Sequence, residues 1–174
     1  MEESPRGYLE IHDAVFDEKT LLATGDAAAR IARSLIDVRR IYTAAVAVGV
    51  ASRALGAALA HVRLGVGARP RQSTEFALAD LATNLEAARH SVLHAAFLRE
   101  SGAPHTAESA AAKLLATRLA TRIAHGAVGV CGQTGPADVL FRAYQDARCL
   151  EMHDGTDVEQ EDELAGAMLG EGHG

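Results

Sequence analysis

The chain has 174 residues, of which 48% are hydrophobic and 4% aromatic, with no tryptophan and a formal net charge of -6. That length suits one domain whose core needs neither disulfide nor metal. The apolar share excludes a disordered chain, and the acidic balance without a long basic block argues against nucleic acid as a partner.

Alanine dominates many segments. It has the highest helix propensity, and its single methyl group lets helices approach closely, so an all-α fold is predicted. Tyr8 to Phe16, "YLEIHDAVF", partly alternates, with Leu9, Ile11 and Val15 on one side. It is compatible with a short strand or an extended arm. Gly25 breaks that pattern, and Asp26 can cap the next helix. From Ala27 to about Val62 there is no proline, and Ile31, Leu35, Val38, Ile41, Ala45, Val48 and Ser52 recur at helical spacing, which predicts one long helix with that stripe facing the core.

Gly65 to Gln72, "GVGARPRQ", ends the first helix. A second is predicted over about Ser73 to Arg99, with Leu78, Leu81, Leu85, Ala88, Val92 and Phe97 inward. Thr106 and Glu108 open a third, about Ala107 to Val130, lined by Leu115, Leu119, Ile123 and Gly126. "CGQTGP" breaks the chain, and Pro136 suits the first turn of a fourth helix ending near Arg148. Thr156 and Glu159 fit a capping box for a fifth, and "GEGHG" is expected to fray. Helices with short connections imply an antiparallel up-and-down bundle. The expected organisation is an arm over residues 1–25, a bundle over 26–168 and a tail over 169–174.

Cys131 and Cys149 form no CxxC, and "MEESPRGYLE" is acidic and polar, unlike a signal peptide. These features lead to an expectation of reduced thiols and a cytoplasmic protein. No apolar run reads as long enough to span a bilayer, so no membrane partner is expected. Glu86, His90 and His94 share a helix face at metal-compatible spacing, but a solvated polar face is the stronger reading. Asp154 lies between two helices, beside Gly155 and the capping Thr156. By itself it reads as a loop carboxylate stabilised by a helix N-terminus by about 0.3–1 kcal/mol. Asp37 and Arg40, three apart on the first helix, read by themselves as a surface pair.

Four short segments carry more than their composition: "LIDVRRIYTAAVAVGVASRAL" from Leu35, "FALADLATNLEAARHSVLHAA" from Phe76, "AAKLLATRLATRIAHGAVGVCG" from Ala111 and "YQDARCLEMHDGT" from Tyr144. In order and spacing they resemble the C-terminal helical domain of acyl-CoA dehydrogenases, over about residues 30 to 160. Members of that family carry two further domains before this one. Residues 8–22 are similar to the last strand and exit of the second of these, and the resemblance leads to the expectation that both domains come from elsewhere.

The resemblance implies specific roles. In the family a Glu in a Tyr-Glu-Gly-Thr loop removes the substrate's α-proton, and here Asp154 stands at the Glu position with His153 at the Tyr. The carboxylate is one methylene shorter, a change in reach of about 1.5 Å. Asp37 and Arg40 match an Asp-x-x-Arg that contacts the CoA portion of the substrate, and Gly155 matches the loop glycine. Gln72, Gly132 and Thr156 match positions at the family's FAD, which lies between domains and across a subunit interface. The flavin side departs most. The Arg-x-x-Phe-Gly stretch is "VRLGVGARPR", the Gln-x-x-Gly-Gly turn is Gly129 to Gln133, and a Gln after the loop threonine is Val158. The expectation is FAD by family, not bound by this chain alone.

Three functions are expected. One is an acyl-CoA dehydrogenase-like subunit acting on an acyl thioester with a partner that supplies the flavin domains. The second is a flavin-free acid–base enzyme (isomerase, dehydratase or cyclase) on an acyl or polyketide-like substrate. The third is a non-catalytic assembly module. In each case a homodimer or larger oligomer is expected, because a lone bundle would expose apolar faces.

Overall fold

Uninterrupted alanine-rich runs bounded by glycine and proline become helices in the computed structural model, which describes residues 8–15, 17–65 and 71–170. They are α1 (Gly25–Arg63), α2 (Arg71–Glu100), α3 (Thr106–Cys131), α4 (Ala137–Leu150) and α5 (Asp157–Leu169), with a 3-10 turn at Gly132–Thr134. The all-α antiparallel bundle is as expected. Among the described residues the arm forms no strand, and Tyr8, Leu9, Ile11 and Val15 are exposed. The expected fraying beyond Gly170, and most of the α1–α2 connection, lie outside the described residues.

α3 is the central helix and packs against each of the other four. The core is built largely from alanine: Ala44, Ala47, Ala51, Ala54 and Ala58 of α1 face Ala112, Ala116, Ala120, Ala124 and Ala127 of α3 within one buried cluster. Each methyl hides little area, about 0.8 kcal/mol apiece, but the small side chains allow close helix contact. Gly126 makes a close approach of α2 to α3, since a Cβ there would lie 2.6 Å from Leu81 Cδ2.

The predicted α1 stripe is corrected. Ile31, Leu35 and Ala45 are exposed, Val48 and Ser52 are half-buried, and the buried face runs through Asp37, Arg40, Ile41, Ala44, Ala47 and Ala51. Bulky apolar residues suggested the inward face, but the tight alanine seam against α3 takes it and turns the larger side chains outward. Phe97 and Leu115 are exposed too, whereas Leu81, Leu85, Ala88, Val92, Leu119 and Ile123 are buried as expected.

Three end signals also differ. α1 starts at Gly25 after Thr24, so Asp26 sits inside the first turn. Pro136 stands just before α4. Thr106 begins α3, but its hydroxyl donates to Asp37 Oδ2 at 2.7 Å and ties α3 to α1. α1 is also long and apolar enough to cross a membrane by length and composition, contrary to the sequence reading. In this fold it packs as a bundle helix against α2, α3 and α4.

Candidate functional site

α4 ends at Leu150, α5 begins at Asp157, and the six residues between them turn the chain back. The capping box is present as the sequence predicts. Thr156 Oγ1 accepts from the Glu159 amide, and Glu159 Oε2 accepts from the Thr156 amide at 2.5 Å. The Thr156 amide first, and then its hydroxyl at 2.9 Å, donate to that carboxylate and hold the Glu159 carboxyl below its ordinary pKa. Ahead of the cap, Asp154 has φ 53 and Gly155 φ 98, both left-handed. Asp tolerates that region better than most residues because its short side chain bonds locally.

The turn directs the Asp154 side chain at α1. Arg39 Nε lies 2.6 Å from Oδ1, and Thr43 Oγ1 donates to Oδ2 at 2.5 Å. The carboxylate is 11% exposed, while the Arg39 side chain is 71% exposed. A cleft of about 350 Å³ opens beside it, lined by Ile36, Arg39, Arg40, Asp154, Gly155 and Glu159. Asp154 therefore lies at a cleft and not on an open convex surface. Its direct partners are Arg39 and Thr43, with Arg40 on the cleft wall.

Asp37 and Arg40 are not a surface pair. They are 5% and 7% exposed. Arg40 Nη1 donates to Asp37 Oδ1 at 3.3 Å, and both terminal nitrogens reach Glu163 Oε2 at 3.4 Å. This network links α1, α5 and, through Thr106, the start of α3. A partner's removal would leave a buried charge uncompensated, which is why such groups cost more to break than they contribute.

Beneath the loop lies a buried polar group. Among the largest side chains that are fully buried, Lys113, Gln160, Thr117 and Ser109 are polar and Ile123 alone is apolar. Lys113 Nζ donates to Glu151 O and Gly155 O, each at 2.7 Å, with Asp157 Oδ1 at 3.7 Å. Gln160 Nε2 donates to Asp154 O at 3.4 Å. Burial pushes the Lys113 ammonium below the ordinary lysine pKa, against the opposing pull of Asp157, Glu151 and Asp154. Between the lowered folded value and the ordinary one, the unfolded chain binds more protons, so stability should rise with pH across that alkaline interval. Only Lys19 and Lys113 are lysines. An NMR titration of the lysine Cε signals should therefore resolve Lys113 with a depressed midpoint, and Lys113→Met should remove that part of the pH slope in urea unfolding.

The remaining assigned positions lie elsewhere. Gln72 is exposed in the first turn of α2, and Gly132, with φ 60, comes directly after α3. That end of the bundle is marked by Thr134 Oγ1 at 3.4 Å from His61 Nε2. Along α1, Arg39 to His61 covers roughly 33 Å of helix axis. Gln72 and Gly132 thus stand at one end of the bundle and Thr156 at the other. Among the described residues no group of three or more side chains could hold a metal. Glu86 pairs with Arg89 at 2.9 Å, and its carbonyl lies 2.7 Å from His90 Nδ1.

The family model for the C-terminal domain of acyl-CoA dehydrogenase matches residues 29–169. The chain belongs to the acyl-CoA dehydrogenase family. It is 35% identical over 170 residues to the mitochondrial short-chain specific acyl-CoA dehydrogenase of Rattus norvegicus, covering 92% of this chain and 40% of that one. The structure of butyryl-CoA dehydrogenase from Megasphaera elsdenii matches with a TM-score of 0.75 at 32% identity, over 80% of this chain and 38% of that one. Podospora anserina nitroalkane oxidase, at 24% identity and a TM-score of 0.72 over 81% of this chain and 36% of that one, shares the fold. The chain thus spans about two fifths of the length of the Rattus norvegicus relative.

Within the acyl-CoA dehydrogenase match fall residues the sequence reading missed: Arg39, Thr43, Lys113, Gln160 and Glu163. A signal existed for Lys113. It is one of two lysines and sits in an alanine-rich segment three residues from Ala110 and Ala116, hence on the inward face. Glu163 and Gln160 carried no such signal, because "VEQEDEL" reads as a solvated helix face.

Proposed function

We propose that this chain is the substrate-side part of an acyl-CoA dehydrogenase-type oxidoreductase, with Asp154 as the base that removes the proton α to an acyl thioester carbonyl. Asp37, Arg40 and Gly155 serve the thioester side. The flavin domains come from a partner, whether a second chain or a longer form of this one. The observation that carries the reading is the Asp154 carboxylate on a rigid, capped turn at the wall of a cleft. A base must be positioned before it is tuned. Arg39, exposed along most of its length, is free to swing aside when an acyl group enters, and Thr43 retains one oxygen of Asp154.

Oxidation also needs a hydride acceptor, and the dispersion of Gln72, Gly132 and Thr156 means that one chain does not assemble a flavin site from them. A site shared between copies, as the family resemblance implies, is consistent with that split. So is association through the exposed Ile31, Leu35, Ile36, Tyr42, Phe76 and Phe97. The same dispersion favours, as the second reading, a flavin-free acid–base enzyme on an acyl or polyketide-like substrate, because Asp154, its partners Arg39 and Thr43, and the cleft lining all come from this chain.

The test is deuterium uptake at the α-carbon of a short acyl-CoA in D2O, combined with gel filtration and a visible spectrum. The chain alone should elute colourless as a dimer or larger. Exchange and acyl-CoA-dependent dye reduction should arise when the flavin domains are added. Exchange by the colourless chain alone would move the conclusion to the second reading. No exchange in either case would sink both.

A further inference from the structure

We propose that Lys113 is the positioning residue of the Asp154 loop: its buried ammonium grips the carbonyls on either side of Asp154 and so sets where that carboxylate stands in the cleft. The inference rests on the reading of Asp154 as the base for its purpose, but its test does not.

The geometry is that of a chord across a turn. Glu151 O and Gly155 O bracket residues 152–154, and Lys113 Nζ is 2.7 Å from both. Thr43 and Arg39 hold the Asp154 side chain at 2.5 and 2.6 Å, and Thr121 holds that of Glu151 at 2.6 Å, but the bonds that the loop's backbone makes to α4, Glu159 and Gln160 are local or longer. Met152 and His153 amides donate back into the end of α4 at 3.2 Å each, and Gln160 reaches Asp154 O at 3.4 Å. Lys113 comes from the central helix, where Thr117 Oγ1 donates to its carbonyl at 2.9 Å and Leu119 and Ala120 anchor the next turn in the core. The chord is therefore mounted on the best-packed element and not on the loop itself.

A purely structural role fits less well. An ammonium at 0% exposure is costly to bury, and a methionine would fill the same space without that cost. Glu151 O and Gly155 O lie near the protein surface, on half-buried residues that water could reach if the loop opened. A donor that reaches both together holds Asp154 in left-handed backbone, a region that only Gly155 adopts without cost. Three acidic groups surround the ammonium from the adjoining segments, Asp157, Glu151 and Asp154. They balance its charge without replacing the two carbonyl bonds.

The experiment compares the wild-type chain with Lys113→Met and Lys113→Gln, using carbodiimide labelling with an added amine and mass spectrometry to read each carboxylate. Asp37 is the internal control, since it is also shielded but held by Arg40 and Thr106. Loss of the chord should raise the labelling rate of Asp154 about fivefold or more and leave Asp37 within about twofold, as local opening requires. Helix content by circular dichroism should stay unchanged. The Gln variant, which keeps a donor without the charge, should fall between. Unchanged Asp154 labelling would overturn the proposal, as would Asp154 and Asp37 rising together, or neither variant folding, which would make Lys113 a core-stability residue. No substrate is present, so a failed α-proton exchange assay would leave this result standing, and the converse also holds.

Discussion

Asp154→Asn is expected to lower α-proton exchange and any coupled turnover by about 10²–10⁴-fold, the usual range for loss of a general base. The unfolding midpoint should barely move. The substitution removes the proton acceptor and conserves the shape of the side chain. Asparagine is also among the residues that best tolerate left-handed backbone, and position 154 has φ 53. Its amide oxygen can still accept from Thr43. What is lost is the ionic part of the contact with Arg39, whose side chain is 71% exposed. With one partner that open to solvent, the pair contributes little, about 1 kcal/mol. The check is exchange kinetics beside urea unfolding of the same preparation. A variant that keeps more than about a tenth of the wild-type rate would remove Asp154 from the role of base. A variant that loses both rate and fold would leave the assignment to Asp154→Glu. That change restores the carboxylate one methylene longer, and its rate should recover if proton transfer and not folding is what Asp154 provides.

The second large effect is expected at the neighbouring glycine. Gly155→Ala meets two obstacles at once. Its φ of 98 is a region that side chains rarely adopt, and a Cβ there would lie 2.5 Å from Gln160 Nε2. Gln160 is fully buried and donates to Asp154 O, so it cannot retreat without breaking a bond on the same turn. The strained backbone alone costs roughly 1–3 kcal/mol. The turn is therefore expected to shift, carrying Asp154 away from Thr43 and Gly155 O away from Lys113. Equilibrium urea unfolding should show the loss of stability, and α-proton exchange should fall by about 10²-fold, the scale of a misplacement of 1 Å. Wild-type stability and rate in this variant would show that the turn accommodates a side chain, contrary to its geometry.

Arg40 illustrates how a reading from spacing alone can miss. Spacing alone suggested a surface pair with Asp37, and the family resemblance suggested a substrate contact. In the fold both residues are buried, and Arg40 also reaches Glu163, 123 positions away in the chain. No local pattern encodes such a partner, because periodicity reports only which residues share a face of one helix. "VEQEDEL" read as solvated for the same reason. Its Glu163 closes that network, and its Gln160 is fully buried.

What the sequence determined by itself is local. Alanine propensity, glycine and proline breaks, and the Thr156–Glu159 box specify five helices and their ends to within a few residues, because each signal acts through the backbone of its own segment. The position of Asp154 between two helices was also legible, since a glycine and a cap beside a carboxylate define a turn wherever they occur. Tertiary structure decided which face of α1 turns inward, choosing the small alanines over the larger Ile31 and Leu35 because helix contact rewards close approach. It also decided that Arg39 and Thr43 meet Asp154, that Gln72 and Gly132 stand at the opposite end from Thr156, and that Lys113 closes the turn from beneath. Those relations join residues on different helices, and only the packing of α3 against its four neighbours brings them within hydrogen-bonding distance or holds them apart.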